Sequence, residues 1–175
     1  MPPPPLTPSQ TIGPFFAHAL PYIDGGNVIL PGDAPRIAIE IIVRDGAGAP
    51  VPDALLECWQ ADSEGRYHEG CEGFGRAATD DGGIARFTTS KPGRVKDSAG
   101  IQAPHIAVSV FARGVLTRLV TRIYFDDDPP AASDPVFASV PENRRATLLA
   151  RGDGNGNYHF DLVLQGERET VFFDV

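Results

Sequence analysis

The chain has only two cysteines and no long apolar run, and these two shortages exclude several classes of protein. Cys58 lies in an apolar stretch and Cys71 in a predicted loop, and the pair matches no metal-binding pattern. Two cysteines could form at most one disulfide bond. A transmembrane helix needs about 18 consecutive apolar residues, and none exists here. The proline-rich start also lacks a basic and then apolar leader pattern. We therefore expect a cytoplasmic protein with free thiols.

Basic residues are also in short supply. Lys and Arg number 15 against 23 Asp and Glu, which gives a net charge of −8. This balance argues against nucleic acid as a partner. It also means that an anionic small molecule must be met by a local arginine or lysine. The 175 residues suit one domain with a sizeable core.

Glycine (19) and proline (17) are plentiful and predict many turns between short strands. From His105 the residues alternate, with Ile106, Val108 and Val110 on a core face. We predict an all-β sandwich of eight or nine short strands with long loops and one or two short helices. The predicted strands are 37–43, 54–60, 74–78, 84–88, 105–111, a partner strand ending at 125, 158–164 and 170–173. A capping box at Ser139 and Glu142 predicts a short helix to about residue 151.

The chain divides into an extended N-terminal arm, residues 1–16, and a single β-sandwich domain, residues 17–175. The proline run in the arm favours an extended conformation. Phe15 and Phe16 follow a Gly-Pro turn and need burial, either on this chain's own core or across a partner subunit. The sequence leaves both open.

The most informative residue is His105 at the start of the central strand. A His-x-His pair on a strand aims two imidazoles at one metal, because side chains repeat every two residues. Here Ala107 stands where the second histidine would lie. Taken alone, His105 therefore indicates a structural histidine more than a ligand.

Four segments together resemble the intradiol ring-cleavage dioxygenases: residues 56–67 (LECWQADSEGRY), 75–83, Lys-Pro-Gly at 91–93, and Ala-Pro-His-Ile at 103–106. Members of that family hold Fe(III) with two tyrosines and two histidines. Tyr67 and His105 match two of these positions, whereas Val95 and Ala107 stand at the other two. Neither of the latter offers a donor atom to hard ferric iron, so we expect no metal in this chain.

These two replacements restrict the resemblance to family members that are built from two homologous subunits. Within such members, the chain resembles the subunit that binds no metal. The resemblance implies a homologous iron-binding beta subunit as partner, in a higher-order oligomer. The substrates would be O2 and a small aromatic carboxylate. It further implies that Thr11, Gly13 and Pro14 line the substrate cavity and that Arg113 lies near the bound substrate. No catalytic residue is expected in this chain itself.

Two other functions stay open at this point. One is a self-sufficient dioxygenase with a rearranged iron site, which the iron content of the isolated chain would reveal. The other is a non-enzymatic β-sandwich binding module, for which residues 81–87 followed by Lys-Pro-Gly are also typical.

Overall fold

Strands dominate the regular structure of the chain, whose computed structural model describes residues 19–32, 34–130 and 133–174. The predicted arm, residues 1–16, lies outside the described residues. Within them the strands number ten: β1 (Arg36–Arg44), β2 (Leu55–Gln60), β3 (Phe74–Ala78), β4 (Ile84–Ser90), β5 (Val95–Asp97), β6 (Gly100–Gln102), β7 (His105–Phe111), β8 (Leu119–Phe125), β9 (Leu149–Gly152) and β10 (Asn157–Val163). The sequence patterns miss the short strands β5, β6 and β9.

Eight of these strands form one sheet in the order β3-β2-β7-β8-β9-β10-β1-β4, and β5 pairs with β6 separately. The pairs β1–β10 and β8–β9 are parallel, and the other pairs are antiparallel. Side chains from the two halves of the sheet meet in one core, in which Ile41 and Phe160 of one half share a cluster with Leu56 and Val108 of the other. The predicted all-β class is confirmed.

A short segment before β1 lies between the two edge strands, so the sheet nearly closes. The backbone N–H of Arg76 on β3 donates to Gly25 O (2.7 Å). On β4, Thr88 donates to Gly26 O (2.8 Å) and accepts from Val28 N (2.9 Å). A Cβ on Gly25 would lie 2.4 Å from the carbonyl oxygen of Arg76, so only glycine permits this approach.

The central strands β7 and β8 follow the predicted alternation. Ile106, Val108 and Val110 are at most 1% exposed, and β7 pairs with β2 on one side and β8 on the other. The connection between β7 and β8 is longer than the predicted Ala-Arg-Gly turn, because β8 begins only at Leu119.

Two predictions for the C-terminal part are wrong. Ser139 ends a helix, α1 (Pro135–Ser139), instead of capping one; Asp134 is its N-cap. A 3₁₀ helix follows (Glu142–Leu148), and the chain is then extended as β9 because it pairs with β8. The tertiary pairing thus overrides the local helix signal. Residues 170–173 are irregular, although Phe173 N donates to Val120 O (2.7 Å).

Cys58 and Cys71 are both free thiols. Burial, with a smaller contribution from the charge of Glu57, raises the pKa of Cys58, which makes this thiol unreactive. Neither helix in the described part of the chain is long and apolar enough to cross a membrane.

Candidate functional site

The structure brings two of the four ligand positions (Tyr67, Val95, His105 and Ala107) into direct contact. The hydroxyl of Tyr67 lies 3.4 Å from Nε2 of His105. His105 begins β7 and is 2% exposed, whereas Tyr67 lies in the loop after β2 and is 43% exposed. Nδ1 of His105 is 2.8 Å from the carbonyl oxygen of Ala103. A carbonyl only accepts, so Nδ1 carries the proton and Nε2 accepts from the Tyr67 phenol.

The surroundings keep this pair of side chains neutral. Burial first, and then the positive charge of Arg122, lower the pKa of His105 to about 4. Burial raises the pKa of Tyr67; the charge of Arg122 opposes that rise and the charge of Asp97 adds to it. At neutral pH the pair is therefore a phenol hydrogen-bonded to a neutral imidazole.

Ala107 lies at the centre of a row that crosses three strands. It shares the face of β7 with His105, and it has Trp59 opposite it on β2 and Arg122 opposite it on β8. The indole of Trp59 in turn stacks on the ring of Tyr67, with centroids 6.1 Å apart and planes 5° apart. Ala107 thus lies between Trp59 on one flanking strand and Arg122 on the other.

Val95 joins the same group of side chains from the small β5–β6 hairpin. It is buried and pairs with Gln102. Oε1 of Gln102 accepts a hydrogen bond from Nη1 of Arg122 (2.6 Å), and Nε2 of Gln102 donates to the carboxylate of Asp97. The residue paired with Val95 is therefore an amide that binds the guanidinium of Arg122.

These residues do not fit the iron centre that the resemblance implies for its metal-binding members. Ferric iron requires anionic oxygen and imidazole ligands, and only Tyr67 and His105 supply such atoms here. Among the described residues, no group of three or more His, Cys, Asp and Glu side chains is placed to hold a metal. That the isolated chain binds no iron stays a prediction.

A buried carboxylate within the 56–67 segment, to which the sequence analysis assigned no role, shapes the Tyr67 loop. Asp62 accepts hydrogen bonds from the backbone of Glu64 (2.8 Å) and Arg66 (2.9 Å), from Nε of Arg66 (3.1 Å) and from Nε2 of His68 (2.8 Å). Burial alone would raise the pKa of Asp62, but these bonds hold it well below its usual range. Asp62 therefore fixes the loop that carries Tyr67. The polar cluster around it in the sequence was the available signal.

The predicted substrate residue Arg113 lies elsewhere in the chain. It lies two residues after Phe111, the last residue of β7, so about 20 Å of strand separates it from His105 at the first residue. Its Nε is 2.9 Å from a carboxylate oxygen of Asp53, and its side chain is 59% exposed. Asp126, another acidic residue near the central strands, is not its partner and accepts from the backbone N–H of Gly152 (2.9 Å). The structure thus brings Arg113 close to none of the ligand positions.

The other predicted substrate residues, Thr11, Gly13 and Pro14, lie outside the described residues. Their role stays a prediction from the resemblance.

The fold and the altered ligand positions define a class that comparison with known families makes explicit. Residues 12–166 match the family described as "Dioxygenase", and the chain belongs to this family. Its relatives include two protocatechuate 3,4-dioxygenase alpha chains: it is 41% identical to that of Burkholderia cepacia over 97% of both chains, and 42% identical to that of Pseudomonas putida over 97% of this chain and 96% of the other. The predicted resemblance to the intradiol ring-cleavage dioxygenases, and among them to one of two homologous chains, is confirmed.

Two further comparisons extend the picture. The chain is 36% identical to the protocatechuate 3,4-dioxygenase beta chain of Burkholderia cepacia, over 77% of this chain and 66% of that one. Among solved structures, it resembles the dioxygenase domain of a dioxygenase carbohydrate-binding protein fusion from Streptomyces sp. SirexAA-E, with a TM-score of 0.62 and 27% identity over 81% of this chain and 87% of that chain. These comparisons establish the family and the fold of this chain and show that a beta chain is among its relatives. The alternative of a non-enzymatic binding module loses its support.

Proposed function

We propose that this chain is the alpha subunit of a protocatechuate 3,4-dioxygenase. Together with a homologous beta subunit it would form the pocket in which protocatechuate (3,4-dihydroxybenzoate) and O2 give 3-carboxy-cis,cis-muconate, a ring-cleavage step of the β-ketoadipate pathway. One observation carries the proposal: similarity to alpha chains extends over 97% of the chain, while Val95 and Ala107 leave two ligand positions without a donor atom.

In this proposal the beta subunit binds Fe(III), which supplies the chemistry that joins O2 to the aromatic ring. The contribution of the alpha chain is positional and electrostatic. Arg113 offers a permanent positive charge to the substrate carboxylate, on a chain whose net charge is −8. Gly13-Pro14 offers a rigid turn with little side chain, against which a flat ring can lie.

The position of Arg113 supports its use in a pocket shared with another chain. It lies at the far end of β7 from the Tyr67–His105 pair, so it does not serve the ligand positions of its own chain. It is also 59% exposed, which leaves its guanidinium accessible to a neighbouring subunit. Its ion pair with Asp53 holds the side chain at this surface.

Co-expression with a beta chain that contains the His-x-His pair tests the proposal. The two chains should co-purify, and oxygen uptake with protocatechuate should require both of them. Full activity of the beta chain alone would contradict a role for this chain in the pocket. Turnover by this chain alone would instead support the self-sufficient dioxygenase, for which the retained Tyr67–His105 contact is the one favourable observation.

A further inference from the structure

One side chain faces the ligand positions from the neighbouring strand without belonging to them: Arg122 of β8. The strand register places it directly opposite Ala107, and residues that are directly opposite in an antiparallel pair share a face of the sheet. Its guanidinium reaches Gln102, the partner of Val95, at 2.6 Å. Its charge also acts on both Tyr67 and His105. Arg122 therefore has a connection to each of the four ligand positions.

We propose that Arg122 takes the place of the metal in this chain: its guanidinium supplies a permanent positive charge among the ligand positions and keeps metal cations out. The inference concerns only this chain's own side chains, so it stands or falls independently of the proposed partnership with a beta subunit.

The chemistry of arginine suits this role. A guanidinium is a permanently charged group in proteins, and its planar donors bind several acceptors at once. Here the amide of Gln102 lies between the guanidinium and a carboxylate, because it accepts a hydrogen bond from Arg122 and donates one to Asp97. Among the described residues, no carboxylate forms a direct ion pair with Arg122. The guanidinium therefore binds a neutral amide, and the charge of Asp97 acts on it only across Gln102.

The small side chain of Ala107 belongs to the same arrangement. Trp59 and Arg122 lie opposite it on the two flanking strands, so a larger side chain at this position would project between the indole and the guanidinium. A histidine there would in addition compete with the guanidinium for the same space. The absence of a donor at position 107 and the presence of Arg122 thus go together, and restoring donors alone should not restore a metal site.

The test restores the missing donors with and without the charge. The full chain is prepared with Val95→Tyr and Ala107→His, and again with Arg122→Gln added. Iron content and iron affinity in competition with a chelator are measured for both, together with the visible absorption of tyrosinate bound to iron. We expect little iron in the double variant and near-stoichiometric, coloured iron in the triple variant. Because like charges a few ångströms apart repel strongly even in a partly buried site, the affinities should differ by about a hundredfold or more.

Two controls separate charge from general disturbance. Arg122→Lys in the same double-variant background keeps the positive charge and should leave the iron affinity low. Arg118→Gln removes an exposed charge from the loop before β8 and should likewise change nothing. Thermal unfolding establishes that each protein is folded, and Arg122→Met provides a second neutral variant if the glutamine variant is not.

The proposal is overturned if the double variant binds iron as tightly as the triple variant does. It is also overturned if a folded, charge-neutral triple variant still takes no iron, because Arg122 would then not be what excludes the metal.

Discussion

His105 illustrates how one residue can keep the surroundings of a metal ligand without a full set of ligands. Its Nδ1–H donates to a backbone carbonyl, which leaves the lone pair of Nε2 directed outward, as in a metal-binding histidine. That lone pair accepts from the phenol of Tyr67. The contact that orients a metal-binding histidine is thus present here, and a hydrogen bond joins Tyr67 to His105.

The lowered pKa of His105 predicts a pH dependence of stability. The unfolded chain takes up a proton near pH 6.5, whereas folded His105 does so only near pH 4. Between these values the unfolded state binds the extra proton, so the free energy of unfolding should fall as the pH is lowered from 6.5 to 4, by roughly 3 kcal/mol in total.

Urea unfolding at a series of pH values measures this effect. His105→Gln should remove most of the slope in that window, while His159→Gln, which changes a half-exposed histidine, should keep it. Equal slopes in the wild-type chain and the His105 variant would show that the imidazole is not held neutral.

A second prediction concerns the positive charge of Arg113. If its charge serves the carboxylate of the substrate, Arg113→Ala in the assembled enzyme should raise the KM for protocatechuate about tenfold or more, as expected for the loss of a charge-assisted contact. Catechol lacks the carboxylate, so its turnover should change much less. Arg118→Ala is the matched control on the same loop.

The alternative for Arg113 is a purely structural role through its ion pair with Asp53. In that case both substrates would be affected equally and the complex would lose stability. Steady-state kinetics with the two substrates, together with the melting temperature of the complex, distinguishes these outcomes.

The sequence allowed some residues of the site to be predicted and not others. Tyr67 and His105 belong to motifs with a fixed spacing, and the structure indeed brings them together. Asp62 and Arg122 act through three-dimensional contacts: one accepts four hydrogen bonds from its own loop, and the other lies opposite Ala107 and donates to Gln102 of the β5–β6 hairpin. A pattern of spacing contains no information about such contacts.

At the scale of elements, the Lys-Pro-Gly segment fixes the loop that carries Tyr67. The N–H of Gly93 donates to the carbonyl oxygen of Asp62 (2.8 Å), so two backbones lie against each other. A Cβ on Gly93 would lie 2.4 Å from the carbonyl oxygen of Ser63 and 2.6 Å from the nitrogen of Gly65. Glycine is required here because backbone atoms cannot move away as a flexible side chain can.

Gly93→Ala should therefore destabilise the chain by about 1–3 kcal/mol, the usual effect of overfilling a close contact. For a chain of this size each kcal/mol lowers the melting temperature by roughly 2–4 °C. Gly82→Ala is the control, because its Cβ would meet the side chain of an exposed aspartate at 3.1 Å. An unchanged melting temperature for the Gly93 variant would contradict the role assigned to this contact.

Elements with strong alternation were predictable, and those set by pairing were not. The strands around Ile41, Val108 and Phe160 alternate clearly, and their inward faces form the core. The segment at Leu149 and Ala150 carries a local helix signal, but it is extended because it adds a parallel strand beside β8. Local propensity does not reveal that a neighbouring strand offers free backbone groups.

At the scale of the whole molecule, the sandwich should fold without its N-terminal arm. The core cluster begins at Val28 and the first described strand at Arg36. Deleting residues 1–16 should therefore leave the melting temperature nearly unchanged. It should weaken association with the beta subunit, because Phe15 and Phe16 would each lose about 1.5–3 kcal/mol of burial.

Sedimentation of mixed subunits measures that association. A shorter deletion, residues 1–5, removes only the start and the proline run, and should have little effect. Full assembly and full turnover of the longer truncation would show that the arm is not part of the interface.

We expect this chain to contribute to an iron enzyme without binding iron itself. The most direct test is the iron content of the chain purified alone and of its complex with the beta subunit. We predict no stoichiometric iron and no visible tyrosinate-to-iron absorption in the isolated chain, and one iron per alpha–beta pair in the complex. One iron per chain in the pure, isolated protein would show that this chain holds a metal site of its own.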